Sequence, residues 1–259
     1  MPGLVVRSAK KFFREVRTPV DAAKFAWRMV MPVDPHLRMG HGWLWGNLPR
    51  LEMSQIIPGI ESSSITIVDV FRPNLQATPM VEEIAALLAI VKHTGAKKIF
   101  ELGTFDGSTT VNIAANTPDD AQIVTLDLPP NWDGKLVFEL PEVFRNVPDT
   151  RIVGRQFRNT PYASKIQQVL GDSAAIDWSA LPGPFDLVFI DACHHYDYVK
   201  KDTENALKHI TPQGVLVWHD YGSYKGVSDA VDETAAKFKV HAIAGTRMAV
   251  GFPAMPPTS

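Results

Sequence analysis

The chain has 259 residues, 45% apolar and 21% charged, ordinary proportions for a soluble globular protein large enough for one α/β domain and an appendage. A formal net charge of −2 gives no support to nucleic acid as a partner, and the single cysteine, Cys193, excludes an internal disulfide and a cysteine-based zinc site. No run approaches the roughly 18 apolar residues of a membrane span and no signal-peptide core is visible, so a cytoplasmic location is expected.

The first thirty residues carry seven basic side chains (Arg7, Lys10, Lys11, Arg14, Arg17, Lys24 and Arg28) against Glu15 and Asp21. Leu4, Val5, Phe12, Phe13 and Val16 lie among them. Two readings of residues 4–28 stand open: a basic amphipathic helix resting on a membrane surface, and a helix packed on the main domain or on a second subunit of a homo-oligomer. Next, His41-Gly-Trp-Leu-Trp-Gly46 sets Trp43 and Trp45 between glycines, either as a lid over a substrate or as ordinary packing. Ser64-Ile-Thr-Ile-Val-Asp-Val70 alternates as a strand does. The chain divides near residue 78, into an N-terminal helical and irregular extension (1–77) and a main domain (78–259).

From Thr78 the rhythm becomes regular. Thr78-Pro79 reads as an N-cap followed by proline at the first helical position, opening a helix that turns Ile84, Leu87, Leu88 and Val91 inward. A strand over 97–102, a helix from Ser108 to about Ala115 and a strand over 122–127 follow. The connection 128–164 contains five prolines and is too long for an idle turn, so it is expected to cover an active site or an interface. Strands are then expected at 166–170, 185–190, 215–218, 240–244 and 247–252, with helices near 196–209 and 227–238. Seven strands from residue 97 onward, alternating with helices and closing on a hairpin, give an α/β fold: a mostly parallel sheet with an antiparallel last strand.

Lys98-Ile-Phe-Glu-Leu-Gly-Thr-Phe-Asp-Gly-Ser-Thr-Thr110 is the most informative stretch. An apolar strand ends on Glu101, turns through Gly103 and Gly107, and enters a helix that Ser108 can cap. Gly103 permits a tight turn, and Gly107 permits a ligand to approach the main chain. The dinucleotide pattern G-x-G-x-x-G does not fit, because Phe105 stands where its second glycine belongs. Glu101 would repel phosphate but can accept hydrogen bonds from an ammonium or a hydroxyl. A nucleoside without phosphate and with a cationic tail meets these requirements, and S-adenosylmethionine is such a molecule. Polar residues also close the other strands: Asp127, Asp172, Asp191, His219 and Asp220. Ligands bind at the carboxyl ends of strands in such sheets.

Glu-Leu-Gly-Thr-Phe-Asp-Gly-Ser-Thr resembles the first motif of class I S-adenosylmethionine-dependent methyltransferases in the form used by small-molecule O-methyltransferases. Phe-Ile-Asp-Ala-Cys-His-His-Tyr and Gly-Val-Leu-Val-Trp-His-Asp-Tyr221 resemble the later motifs of a bacterial branch that modifies sugars and secondary metabolites. The resemblance covers roughly residues 78–252. It implies a Rossmann-like sheet and transfer of a methyl group to a small-molecule hydroxyl. It further implies that Glu101, Gly103 and Gly107 line the methionine end of the cofactor, with Thr104, Ser108 and Asp191 nearby. Asp127, 24 positions after Gly103, would bind the ribose hydroxyls, and Asp172 would accept from the adenine amino group with Ser173 beside it. For Asp127 and Asp172 the alternative is a strand-end turn or helix cap.

Asp191, His219 and Asp220 fall where metal-dependent relatives hold magnesium. The imidazole of His219 departs from the usual carboxylate and suits manganese, iron or zinc better. His194 lies where catechol-type relatives carry a catalytic lysine, and a histidine there can take the proton of a substrate hydroxyl. His219 is the rival base, and His195 has only a neighbour's claim. The alternative for His194 is a histidine that orients its loop. Two other functions remain open: a catalytically degenerate subunit that binds a partner, and a nicotinamide-dependent oxidoreductase, against which Phe105 argues.

Overall fold

A computed structural model describes residues 18–23, 44–68, 79–130, 132, 134–140 and 152–257. The strands are β1 (Arg50–Leu51), β2 (Lys98–Leu102), β3 (Gln122–Asp127), β4 (Ile166–Leu170), β5 (Phe185–Ile190), β6 (Ile210–Trp218), β7 (Lys239–Ile243) and β8 (Ala249–Phe252). The described helices include α1 (Met53–Ile56), α2 (Val81–Thr94), α3 (Ser108–Ala115), α4 (Tyr196–His209) and α5 (Lys225–Ala235), and residues 19–23 are also helical.

The strands form one eight-stranded sheet in the order β1-β7-β8-β6-β5-β2-β3-β4. All pairings are parallel except those of β8, which runs antiparallel to both β6 and β7. Central strands covered on both faces need apolar side chains on both, and Ile99 and Phe100 of β2 show the division. Ile99 joins Leu87, Leu88, Ile113, Leu187 and Val217 in one core, while Phe100 joins Val188, Leu216, Trp218, Val227 and Val231 in the other. After β2 the chain builds outward through β3 and β4 on one side, then returns to lay β5 and β6 on the other. The carboxyl ends of β2, β3 and β5 therefore border the crevice where strand order reverses.

Several boundaries differ from the sequence expectation. Helix α2 starts at Val81, where the Glu83 carboxylate accepts the Met80 N–H at 2.8 Å; Thr78 lies outside the described residues. Strand β6 begins at Ile210 rather than 215, tolerating Pro212 because its pairing with β5 is irregular between Phe185 and Leu187. The eighth strand is β1, paired with β7 through Arg50–Ala242 and Leu51–Ile243. Two residues carry no alternation that a sequence pattern could register.

The expected strand at 64–70 is not one. Residues 63–68 form no ladder, and side-chain amides of α3 and its cap take the place of a neighbouring strand. Asn116 accepts the Thr66 N–H at 2.8 Å and donates to the Thr66 carbonyl at 2.6 Å, and Asn112 accepts the Val68 N–H at 2.7 Å. Residues 69–70 lie outside the described residues.

Trp45 is buried. The Leu44 and Trp45 N–H groups donate to the Gly222 carbonyl at 2.7 and 3.1 Å. Gly46 has φ +86°, and the Tyr221 ring fills the space a Cβ would need. The Tyr221 hydroxyl donates to Asp232 at 2.6 Å and accepts the Leu48 N–H at 2.8 Å. Trp43 and most of residues 4–28, the stretch read as a membrane or subunit contact, lie outside the described residues. No helix among the described residues is long and apolar enough to cross a membrane.

Asn116→Ala is expected to lower stability by about 1–3 kcal/mol, since it strands two backbone groups of Thr66. Urea denaturation measures this, and an unchanged midpoint would mean that the Asn116 bonds add nothing to the hold on residues 63–68.

Candidate active site

Gly103 follows β2 with φ +102°, and a Cβ there would lie 2.1 Å from the Asp191 carbonyl oxygen. The residue is thus fixed by the approach of the β2 and β5 ends as well as by the turn. Gly107 (φ +88°) is the N-cap of α3, and a Cβ on it would lie 2.6 Å from the Phe157 ring. Its missing side chain makes room for Gly154 and Phe157 of the long connection. Ser108 is the first helical residue and not the cap; Asp106 accepts its N–H at 3.1 Å. Residues 154–156 of the long connection bond to the turn after β2. Gly154 N–H donates to the Phe105 carbonyl and Gln156 N–H to the Asp106 carbonyl, both at 2.9 Å.

Glu101 is fully buried. Its Oε2 accepts the hydroxyls of Thr110 and, at 2.6 Å, Thr125. Thr125 has one proton and gives it to Glu101, so Thr104 donates to Thr125 at 2.7 Å. Oε1 has no hydrogen-bond partner among the described residues. Burial drives the Glu101 pKa up to about 8, the two threonine hydroxyls pull it down, and the charges of Asp191 and Asp127 push it up again.

The next two carboxylates are held by backbone N–H groups. Asp127 accepts from Phe105 and Leu128, each at 2.7 Å. Phe105 has φ +48°, a left-handed conformation rare for a bulky residue, and the bond to Asp127 helps keep it there. Asp172 accepts the Ala174 N–H at 2.9 Å, the Val137 N–H at 2.9 Å and the Tyr198 hydroxyl at 2.8 Å. It thereby ties the 134–140 segment to α4. Ser173 is buried next to it, and its carbonyl accepts the Trp178 indole N–H at 3.1 Å. Asp202 of α4 lies fully buried beside Ser173 and Asp172, and burial lifts its pKa to about 7.

The third group gathers at the ends of β5 and β6. His219 is buried, with Nε2 at 3.0 Å from Glu83 Oε2 and Nδ1 at 3.0 Å from Asp191 Oδ1 and 3.6 Å from Asp220 Oδ2. Burial works against the imidazolium, but the carboxylates of Asp191 and Asp220 outweigh it and hold the pKa well above the usual histidine range. Nδ1 makes no aligned hydrogen bond. Arg247 joins Glu83 through its backbone N–H, Nε and Nη2 at 2.9, 2.9 and 2.7 Å, and reaches Asp220 Oδ1 with Nη1 at 3.0 Å. Burial would raise the Glu83 pKa, yet bonds to His219 and Arg247 hold it far below the carboxylate range.

His194 Nε2 lies 2.9 Å from Asp220 Oδ2, and its ring stacks on Tyr224 with centroids 4.1 Å apart. The His194 side chain is 28% exposed, so a substrate can reach it. His195 faces Asp197 at 3.5 Å instead, at the N-cap of α4. Asp220 has φ +61°. It and Phe105 are the two non-glycine residues with positive φ among the described residues, and both stand at strand ends of this crevice.

The structure therefore brings Asp191, His194, His219 and Asp220 into one cluster and Glu101, Thr104 and Asp127 into another. Asp172 and Ser173 sit at the end of β4. Sequence reasoning missed Glu83 and Arg247. Glu83 lies on the inward stripe of α2, four residues before Leu87 and seven before Ile90, so its periodicity was a usable signal. Arg247 sits in a hairpin turn, where nothing in the sequence marks it.

The model of a family described as a methyltransferase domain matches residues 100–221. No curated protein matches the chain. Among solved structures, cofactor-bound Rv0187 from MTB is similar at a TM-score of 0.52 and 16% identity, over 93% of this chain and 100% of that one. The SAH-bound methyltransferase PaMTH1 of Podospora anserina is similar at 0.51 and 16%, over 80% and 98%. A candidate O-methyltransferase from Klebsiella pneumoniae is similar at 0.51 and 16%, over 91% and 96%. At these identities the likeness is one of fold.

Glu101→Gln is expected to flatten the dependence of stability on pH. A carboxyl whose pKa rises from 4.5 unfolded to about 8 folded contributes stability below the lower value and loses it as pH climbs to the upper one. The variant should therefore gain on the wild type between these limits, by on the order of 1–3 kcal/mol at pH 8.5. Parallel melting curves across that range would refute the buried, uncompensated state of Glu101.

Proposed function

With residues 100–221 matched as a methyltransferase domain on a class I sheet, we propose that the chain transfers the methyl group of S-adenosylmethionine to a hydroxyl of a small molecule, a sugar or secondary metabolite. The observation that carries this reading is Glu101 Oε1. It is a buried acceptor without a partner among the described residues, flanked by the charges of Asp127 and Asp191. A cationic ligand offsets such a group, whereas a dinucleotide phosphate would add to its repulsion. Asp127 suits two ribose hydroxyls, because a carboxylate accepts hydrogen bonds side by side. Asp172, already holding Val137 and Tyr198, would receive the adenine amino group on its remaining acceptor capacity.

At the acceptor end, His194 donates its Nε2–H to Asp220, which leaves the lone pair of the neutral ring on Nδ1. That nitrogen takes the proton as the substrate oxygen forms its bond to the methyl carbon and the carbon–sulfur bond breaks. Asp220 stabilises the resulting imidazolium. Most of the remaining catalysis is alignment, because a sulfonium is already a strong electrophile. The Asp191, His219 and Asp220 ligand atoms lie within 4.8 Å of one another, and the unaligned His219 Nδ1 fits them to a divalent ion, better to manganese, iron or zinc than to magnesium. Such an ion, when bound, would lower the pKa of a substrate hydroxyl.

Asp127→Asn is expected to weaken S-adenosylmethionine binding by about 1.5–3 kcal/mol in calorimetry, the usual loss for hydrogen bonds to a charged acceptor. Wild-type affinity in that variant would sink the ribose assignment, and tight binding of a nicotinamide dinucleotide would sink the whole reading.

His194→Ala should lower turnover by about 10²–10⁴-fold with cofactor affinity nearly unchanged. The comparison is made with and without a chelator, since activity that survives chelation in the wild type assigns the base role to histidine alone. Near-normal turnover of the variant with added divalent ion would return His194 to a loop-orienting role.

A further inference from the structure

We infer that Glu83 is a positioning residue of this site, fixing which nitrogen of His219 faces Asp191 and Asp220. The inference deepens the methyl-transfer reading, and its kinetic arm rests on that reading. Glu83 comes from α2, outside the segment matched as a methyltransferase domain.

A carboxylate with no exposure, placed among Leu87, Leu88 and Ile90, is strongly unfavourable unless every lone pair is used. Glu83 meets that condition. Oε1 accepts from the Arg247 backbone N–H and Nε, and Oε2 accepts from Met80 N–H, Arg247 Nη2 and His219 Nε2. Arg247 alone would neutralise the charge and, with the helix cap, use most of the lone pairs. The His219 contact at 3.0 Å serves the histidine instead. A ring nitrogen that donates to a fixed carboxylate leaves the opposite nitrogen defined in place, as second-layer carboxylates do for metal-bound histidines. Here the opposite nitrogen is Nδ1, 3.0 Å from Asp191 and without an aligned bond. The Phe189 ring stands T-shaped to the imidazole with centroids 6.3 Å apart, so the ring is bounded on its side as well.

Two measurements test the inference. In nitrogen-detected NMR of the wild-type side chains, His219 Nε2–H should appear as a slowly exchanging, downfield imidazole proton that Glu83→Gln removes or shifts. Glu83→Gln should also lower kcat by about 10–100-fold while S-adenosylhomocysteine affinity changes by less than about 3-fold. In a His219→Ala background the same substitution should change kcat by less than about 3-fold, because its route runs through that ring. An equal kcat loss in both backgrounds, or an unprotonated His219 Nε2 in the wild type, overturns the inference. If Glu83→Gln fails to fold, the wild-type spectrum still decides. A wild type that binds no S-adenosylmethionine would defeat the methyl-transfer reading, while the spectrum would separately decide the hold of Glu83 on His219.

Discussion

Like charges repel most strongly where water is scarce, and this sheet gathers acidic side chains at the carboxyl ends of its strands. Glu101 and Asp172 are buried there with Asp220, and Glu83 reaches in from the neighbouring helix. The arrangement holds because each carboxylate is met by a different kind of partner. Glu101 has threonine hydroxyls and a raised pKa. Asp127 and Asp172 have main-chain N–H groups of the loops that follow β2 and β3. Glu83 and Asp220 share Arg247, with His219 lying between them. The loops and the C-terminal hairpin owe their positions to these demands as much as to the two apolar cores.

This distribution separates a permanently compensated end of the crevice from an end that awaits charge. Arg247 and His219 supply cationic groups beside Asp191 and Asp220. Among the described residues Glu101 is bonded only by hydroxyls, which do not cancel a charge. Acidic groups at one end and the His194–Asp220 pair at the other are the basis of the proposed transfer of a group from a cation to a neutral hydroxyl.

The parts legible in the sequence are those with a strong local signature. Strands β3, β4 and β5 and helices α3 and α4 fall on the expected residues, because apolar runs and their polar ends define them without outside help. The strand-end acids and His194 belong to the same class, since topology brings strand ends together wherever the strands alternate with helices. Tertiary contacts decide the rest. Residues 64–68 alternate like a strand but find Asn112 and Asn116 instead of a ladder. Strand β1 is too short for any periodicity, and Arg247 acquires its meaning only from Glu83, 164 residues away. Gly107 is needed for Phe157, a partner that the motif itself does not name.

Tyr221 follows directly after His219 and Asp220, and its ring fills the space opened by Gly46. Its hydroxyl accepts from the Leu48 main chain, 173 positions earlier, and donates to Asp232. Residue 46 therefore behaves as part of the crevice in any survey of sequence variation. A methyl group added there would push on the side chain next to Asp220, so a substitution far from every recognisable motif would register as an active-site lesion. Tolerated changes at 46 and 221 should come in pairs, and a library that varies one while fixing the other would sample mostly misfitted pairs.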